Sequence, residues 1–174
     1  MDKKDRLNAL EIALKNEVRE REFYLLQAER TTNPLGKAMF KEIADDELEH
    51  YERLTKLHQA WEKDGKWPET VPLEVKRTKV KDVLEKFISA AAELPAGDAD
   101  DLEAVHTAID FEAKGVEFYG RLRDGVVDSR EKKFFALLVS IENEHYLSLK
   151  ETEEFLADPA SWYRVKERLT LDGA

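Results

Sequence analysis

Shifted by 95 residues, the chain lies on itself. Residues 13–54 align with 108–149 without a gap, and twelve of the 42 positions are identical. Unrelated chains of ordinary composition would match at about two or three of them. The identities include Glu17 with Glu112, Phe23-Tyr24 with Phe118-Tyr119, Phe40 with Phe135 and Glu47 with Glu142. Glu49 with Glu144, His50-Tyr51 with His145-Tyr146 and Leu54 with Leu149 also match. A fold for this chain must therefore accommodate the same unit twice.

Each unit reads as a pair of helices. Apolar residues recur at steps of three and four, which places them on one helix face. Helices are expected over about 4–29, 35–63, 101–124 and 129–157, with a shorter amphipathic piece over 80–94. The chain holds only seven Gly and five Pro. Seven of those twelve breakers fall in "RTTNPLG", "KDGKWPETVP" and "LPAGDADD", which end or separate the helices. Asp residues in the last stretch can cap the helix that follows. No segment alternates as a strand would. The expectation is all-α: a four-helix bundle built from two antiparallel hairpins, about 4–63 and 101–157. One long crossover, 64–100, carries the extra helix, and a tail covers 158–174. At 174 residues, one domain with a substantial core is expected.

The seams of these helices carry residues that a core does not want. The second helix presents Phe40, Ile43, Glu47, His50, Leu54, Leu57 and Trp61 on one face. The fifth segment repeats this with Phe135, Leu138, Glu142, His145, Leu149, Thr152 and Leu156. The first helix places Glu17 among Leu10, Ala13 and Tyr24; the fourth segment places Glu112 among Val105, Ala108 and Tyr119. A buried carboxylate needs a partner or a metal. Pairing with Arg or Lys would serve for one such Glu, but neither unit puts a cation on the opposed seams. Two hairpins packed about a pseudo-twofold axis would bring four carboxylates and two imidazoles to one level of the core. Oxygen and nitrogen donors of that kind suit two first-row divalent ions, whose charge balances four carboxylates.

Composition excludes other classes. A net charge of −10 argues against nucleic acid and anionic membrane surfaces as partners. With no Cys there is no disulfide, zinc ribbon, iron–sulfur cluster or thiol nucleophile, which fits a reducing cytoplasm. "MDKKDRLNALEIALKNE" lacks the features of a signal peptide, and the apolar run "FFALLV" is too short to cross a bilayer.

The motifs "EVREREFY" (17–24), "DELEH" (46–50), "EAKGVEFY" (112–119) and "ENEH" (142–145) resemble the rubrerythrin branch of the ferritin-like superfamily. One Glu from each of two helices and Glu-x-x-His from each of the others is the di-iron carboxylate pattern of that superfamily. The closing "SWYRVKERLTLDG" is similar to the tail of single-domain relatives. The resemblance implies that Glu17, Glu47, His50, Glu112, Glu142 and His145 are metal ligands. Glu47 and Glu142 would bridge two iron ions, Glu17 and His50 serving one ion, Glu112 and His145 the other. Manganese and zinc suit the same donors. It also implies an oxidoreductase that reduces hydrogen peroxide, or oxidises ferrous iron with oxygen or peroxide. A homo-oligomer, in the simplest case a dimer, is expected from the superfamily's habit.

Three departures qualify the resemblance. Without Cys there is no rubredoxin-like iron site, so electrons must come from a separate donor protein or from incoming ferrous iron. The extra Glu that relatives carry one turn after the third helix's ligand is Gly115 here, while the matching position of the first helix is Glu20. Glu20 is either a movable seventh ligand, with Gly115 making room, or a solvated residue at the seam's edge. Finally, Asp46 in one unit matches Ile141 in the other. Asp46 can accept the second ring N–H of a ligand histidine across the bundle, His145 by placement, or it can simply be solvated. In the first case His50 lacks such an acid and the two ions are unequal. Tyr24 and Tyr119 read first as core aromatics and second as hydroxyl donors to a ligand carboxylate or oxidant. Against the redox enzyme stands a metal-binding or structural helical module without turnover.

Overall fold

The structure, a computed structural model, describes residues 3–65, 75–90 and 95–171. Six helices follow one another: α1 (Lys3–Arg30), α2 (Pro34–Asp64), α3 (Val80–Ala90), α4 (Ala99–Gly125), α5 (Ser129–Ala157) and α6 (Pro159–Leu171). No strand occurs among the described residues. None of their helices is long and apolar enough to cross a membrane.

Local chemistry sets the helix ends. Asn33 caps α2, its Oδ1 accepting from the backbone N–H of Leu35 (3.0 Å) and Gly36 (3.2 Å), with Pro34 in the first turn where no N–H is needed. The Asn33 amide also donates to Pro95 O at 3.1 Å, tying the first hairpin's turn to the crossover. Asn33→Ala should therefore cost about 1–2 kcal/mol, read as a lower denaturant midpoint at unchanged slope. At the other end of α2, Gly65 adopts φ 64°, and its N–H bonds Trp61 O at 3.0 Å. That left-handed conformation is one a side chain resists. Asp98 and Asp101 cap α4 reciprocally, Asp101 N–H donating to Asp98 Oδ1 at 2.9 Å and Asp98 N–H to Asp101 Oδ2 at 3.3 Å.

α1 packs on α2 and α4 on α5, and the two hairpins meet through α1–α4 and α2–α5. The core is two apolar clusters. One gathers Tyr24, Phe40, Ile43, Val105, Ala108, Leu149 and Phe155. The other gathers Leu10, Ala13, Leu54, Tyr119, Phe135, Leu138 and Ile141. Along every long helix the charged seam residues fall between the two clusters, so a single polar layer crosses the bundle at mid-height. The same order of clusters along each helix fixes direction: α1 and α5 run one way, α2 and α4 the other. This is the ferritin-like four-helix bundle. Because α2 ends beside one cluster and α4 begins beside the other, the crossover must travel the bundle's length. It does so along α2 and α5, with Val75 in one cluster and Val80 and Leu84 of α3 in the other.

The tail, to which the sequence pattern assigns no element, is helical over Pro159–Leu171. It forms α6, because Asp158 caps it (Ser161 N–H to Asp158 Oδ1, 2.9 Å) and Trp162 and Tyr163 pack edge-on against Phe155. The extra helix, expected to reach residue 94, is described to Ala90; residues 91–94, like 66–74 of the crossover, lie outside the described residues.

Candidate metal centre

The middle of each long helix contributes to the polar layer. Glu17, Glu47, His50, Glu112, Glu142 and His145 are all buried, none more than 1% exposed. His50 Nδ1 stands 3.2 Å from Glu17 Oε2, 3.1 Å from Glu47 Oε2 and 3.4 Å from Glu142 Oε1. His145 Nδ1 mirrors it, 3.3 Å from Glu112 Oε2 and 3.8 Å from both Glu47 Oε1 and Glu142 Oε2. The layer thus resolves into two donor groups that share Glu47 and Glu142, and each could hold a metal ion. The two imidazoles lie nearly parallel, their centroids 6.3 Å apart.

The donor atoms themselves test whether cations fit. In the second group Glu47 Oε1, Glu112 Oε2, Glu142 Oε2 and His145 Nδ1 are buried and find no hydrogen-bond partner among the described residues. Leaving one such group unsatisfied costs about 1–3 kcal/mol, and more when it is charged. A divalent cation satisfies all four at once.

Protonation follows the same geometry. Burial alone would raise Glu17, but the hydrogen bond and charge of His50 hold it below its ordinary value; at Glu112 the charge of His145, 3.3 Å away, is the chief opposing cause and also holds the carboxyl low. Burial, reinforced by neighbouring carboxylates, pushes Glu47 and Glu142 well above theirs. Both histidines are raised to about 9, because their carboxylate partners outweigh burial. In the metal-free protein the shared acids and the two imidazoles therefore hold protons where cations would otherwise sit.

The tyrosines cross between hairpins. Tyr24 donates to Glu112 Oε1 and Tyr119 to Glu17 Oε1, so each hydroxyl aims the carboxylate of the other unit's first helix. Burial first, then the adjacent carboxylates, keep both phenols protonated. Asp46 lies across the bundle with Oδ2 2.9 Å from His145 Nε2. Its burial favours the neutral acid, yet hydrogen bonds with His145 and Thr78 hold it below its ordinary value.

Glu20 is buried, at 7% exposure, but belongs to neither donor group. Burial, then repulsion from Glu17 and Glu112, raise it to about 9, while Arg19 lies 3.8 Å away. The space left by Gly115 lies against Glu142: an added Cβ would meet its carboxylate at 3.4 Å. Two polar contacts were not legible beforehand. Thr78, in the crossover, reaches His145 Nε2 at 3.2 Å; nothing in its spacing announces this, since it lies outside every periodic segment. Glu49, identical in the repeat, accepts the backbone N–H of Lys76 at 3.1 Å and fastens the crossover beside the layer.

No curated protein and no solved structure matches the chain. A family model described as rubrerythrin matches residues 8–153, a span that takes in all six converging donors and stops before α6. Four ordered helices, a repeated Glu and Glu-x-x-His set gathered in one buried layer, and that match agree: the chain belongs to the rubrerythrin family.

Proposed function

We propose that the buried layer binds two iron ions and that the protein is a rubrerythrin-like peroxidase or ferroxidase. Glu17 and His50 would hold one ion, Glu112 and His145 the other, and Glu47 and Glu142 both. The observation that carries this reading is the convergence of buried carboxylate and imidazole atoms into two adjacent donor groups that share Glu47 and Glu142. The chemistry that a ferrous pair would supply when bound is two electrons, which with two protons turn hydrogen peroxide into two waters. The chain's own part is to hold and shield. Tyr24 and Tyr119 fix the orientation of Glu112 and Glu17. The apolar clusters on either side keep bulk water from the layer and so strengthen every charge interaction inside it. With no Cys, the chain carries no iron–sulfur site beside this centre, and the proposal includes a separate electron-donor protein.

The test is metal analysis of anaerobically purified protein, then an optical stopped-flow trace on mixing with hydrogen peroxide. Oxidation by stoichiometric peroxide, sustained by an external reductant, supports the peroxidase. Consumption of many ferrous ions per centre supports the ferroxidase. Zinc retained as firmly as iron, with no spectral response to oxidant, would overturn both in favour of a structural module. Within this proposal Glu20 is a movable further ligand, kept neutral beside Glu17 and Glu112 until an ion draws it in. Glu20→Ala should then lower peroxide turnover about tenfold; unchanged metal content together with unchanged turnover would remove Glu20 from the site.

A further inference from the structure

The two histidines differ on the side turned away from the shared carboxylates. His145 Nε2 meets Asp46 Oδ2 at 2.9 Å and Thr78 Oγ1 at 3.2 Å. Thr78 is itself buried, and its hydroxyl oxygen accepts from Val80 N–H at 3.2 Å, at the start of α3. His50 Nε2 is also buried and has no hydrogen-bond partner among the described residues. The repeat accounts for one half of this contrast, because the counterpart of Asp46 is Ile141. Connectivity accounts for the other. Thr78 falls between Val75, in one apolar cluster, and Val80, in the other, so it marks the level at which the crossover passes the polar layer. The chain makes that passage once, so only one histidine receives a hydroxyl from it.

An imidazole with a cation on Nδ1 keeps its proton on Nε2 and must donate it. An anionic acceptor there orients the ring and makes the ligand nitrogen more basic. At His50 the same event leaves a buried N–H without an acceptor, which is costly. We propose that Asp46 and Thr78 are positioning residues that make the His145–Glu112 position the tighter of the two, so that cations load in order, there first and at His50–Glu17 second. Asp46 supplies the acceptor; Thr78, its hydroxyl 3.2 Å from the same imidazole nitrogen and anchored by Val80 N–H, fixes the ring where Asp46 meets it. This order rests on the two-ion reading of the layer given above.

Calorimetric titration of the metal-free full chain with manganese(II) tests it. The expected result is two unequal steps. Asp46→Asn and Thr78→Val should each weaken the first step about 10–100-fold while leaving the second unchanged. Thr78→Ser, which keeps the hydroxyl, should restore the parent titration. Ile141→Asp, placing an acid where the repeat lacks one, should tighten the second step; circular dichroism verifies that each variant folds. Two equal steps in the parent, variants that bind as the parent does, or variants that weaken both steps alike would overturn the order and leave the two-ion reading standing. A parent that binds no manganese would overturn both.

Discussion

Glu47→Gln should unfold at a higher temperature than the parent when both are metal-free, and at a lower one when both are loaded. Glu47 is fully buried, and burial together with Glu17 and Glu112 pushes its carboxyl well above the ordinary 4.5. In the unfolded chain the same group is ionised at neutral pH. Keeping a proton on it in the folded state therefore costs stability at neutral pH. Glutamine keeps the shape without that cost. The metal-free variant should melt several degrees higher, about 2–4 °C for each kcal/mol gained in a chain of this size. Loading reverses the order. Glu47 Oε2 lies 3.1 Å from His50 Nδ1 and Oε1 3.8 Å from His145 Nδ1, so one amide deprives both positions of a carboxylate. Thermal melts with and without chelator measure the crossing. A variant destabilised equally in both states would mean that Glu47 is an ordinary satisfied core residue.

The metal-free protein should also lose stability as the pH rises from about 6.5 to about 9, while the loaded protein should not. The ordinary value for both histidines is 6.5, and carboxylate partners raise each to about 9 against the opposing effect of burial. A group whose proton is held more tightly in the folded state stabilises fully below its unfolded value. That contribution is lost as the pH rises through the folded one. Two such imidazoles amount to a few kcal/mol across this window. The raised carboxyls of Glu47 and Glu142 act in the same direction, beginning near 4.5. Bound cations take the places of these protons, so loading abolishes the slope. Uptake at neutral pH should release about four protons for two ions, one from each imidazole and each shared acid. Urea denaturation at several pH values, with and without metal, gives the slope, and an indicator dye counts the protons. A metal-free stability that stays level between pH 6.5 and 9 would show that the histidines are not held as imidazolium.

Both predictions depend on the same tension. Four acids in one apolar interior are a poor arrangement for an empty bundle and a good one for a filled bundle, and stability given up at such a layer is regained only with a ligand. The neighbouring clusters bear the load: Phe40 and Phe135, Ile43 and Leu138, Leu54 and Leu149 occupy matched places on either side and are all essentially inaccessible. The ion pair of half-buried Arg6 with buried Glu131, 2.7 Å apart with Arg6 stacked over Trp61, joins the start of α1 to the start of α5 at one end. Arg6 precedes the repeat and Glu131 aligns with Gly36 within it, so no pattern in the sequence marked the pair.

Periodicity and repetition are properties of consecutive residues, and what they govern could be read directly. The steps from Phe40 to Trp61 and from Phe135 to Leu156 determined which faces turn inward. Asn33-Pro34, Gly65 and Asp98 determined where helices stop and start. The paired Glu and Glu-x-x-His determined that six polar donors share a level. Contacts between separate segments are not carried by spacing. Only the packed bundle decided that Tyr24 serves Glu112 and Tyr119 serves Glu17, that Glu20 stands apart from both donor groups, that 159–171 is a docked helix, and that Thr78 leans on His145. The physical reason is the crossover. A chain that must run once along the outside of a twofold arrangement breaks its symmetry, and the side it passes cannot be known until the helices have packed.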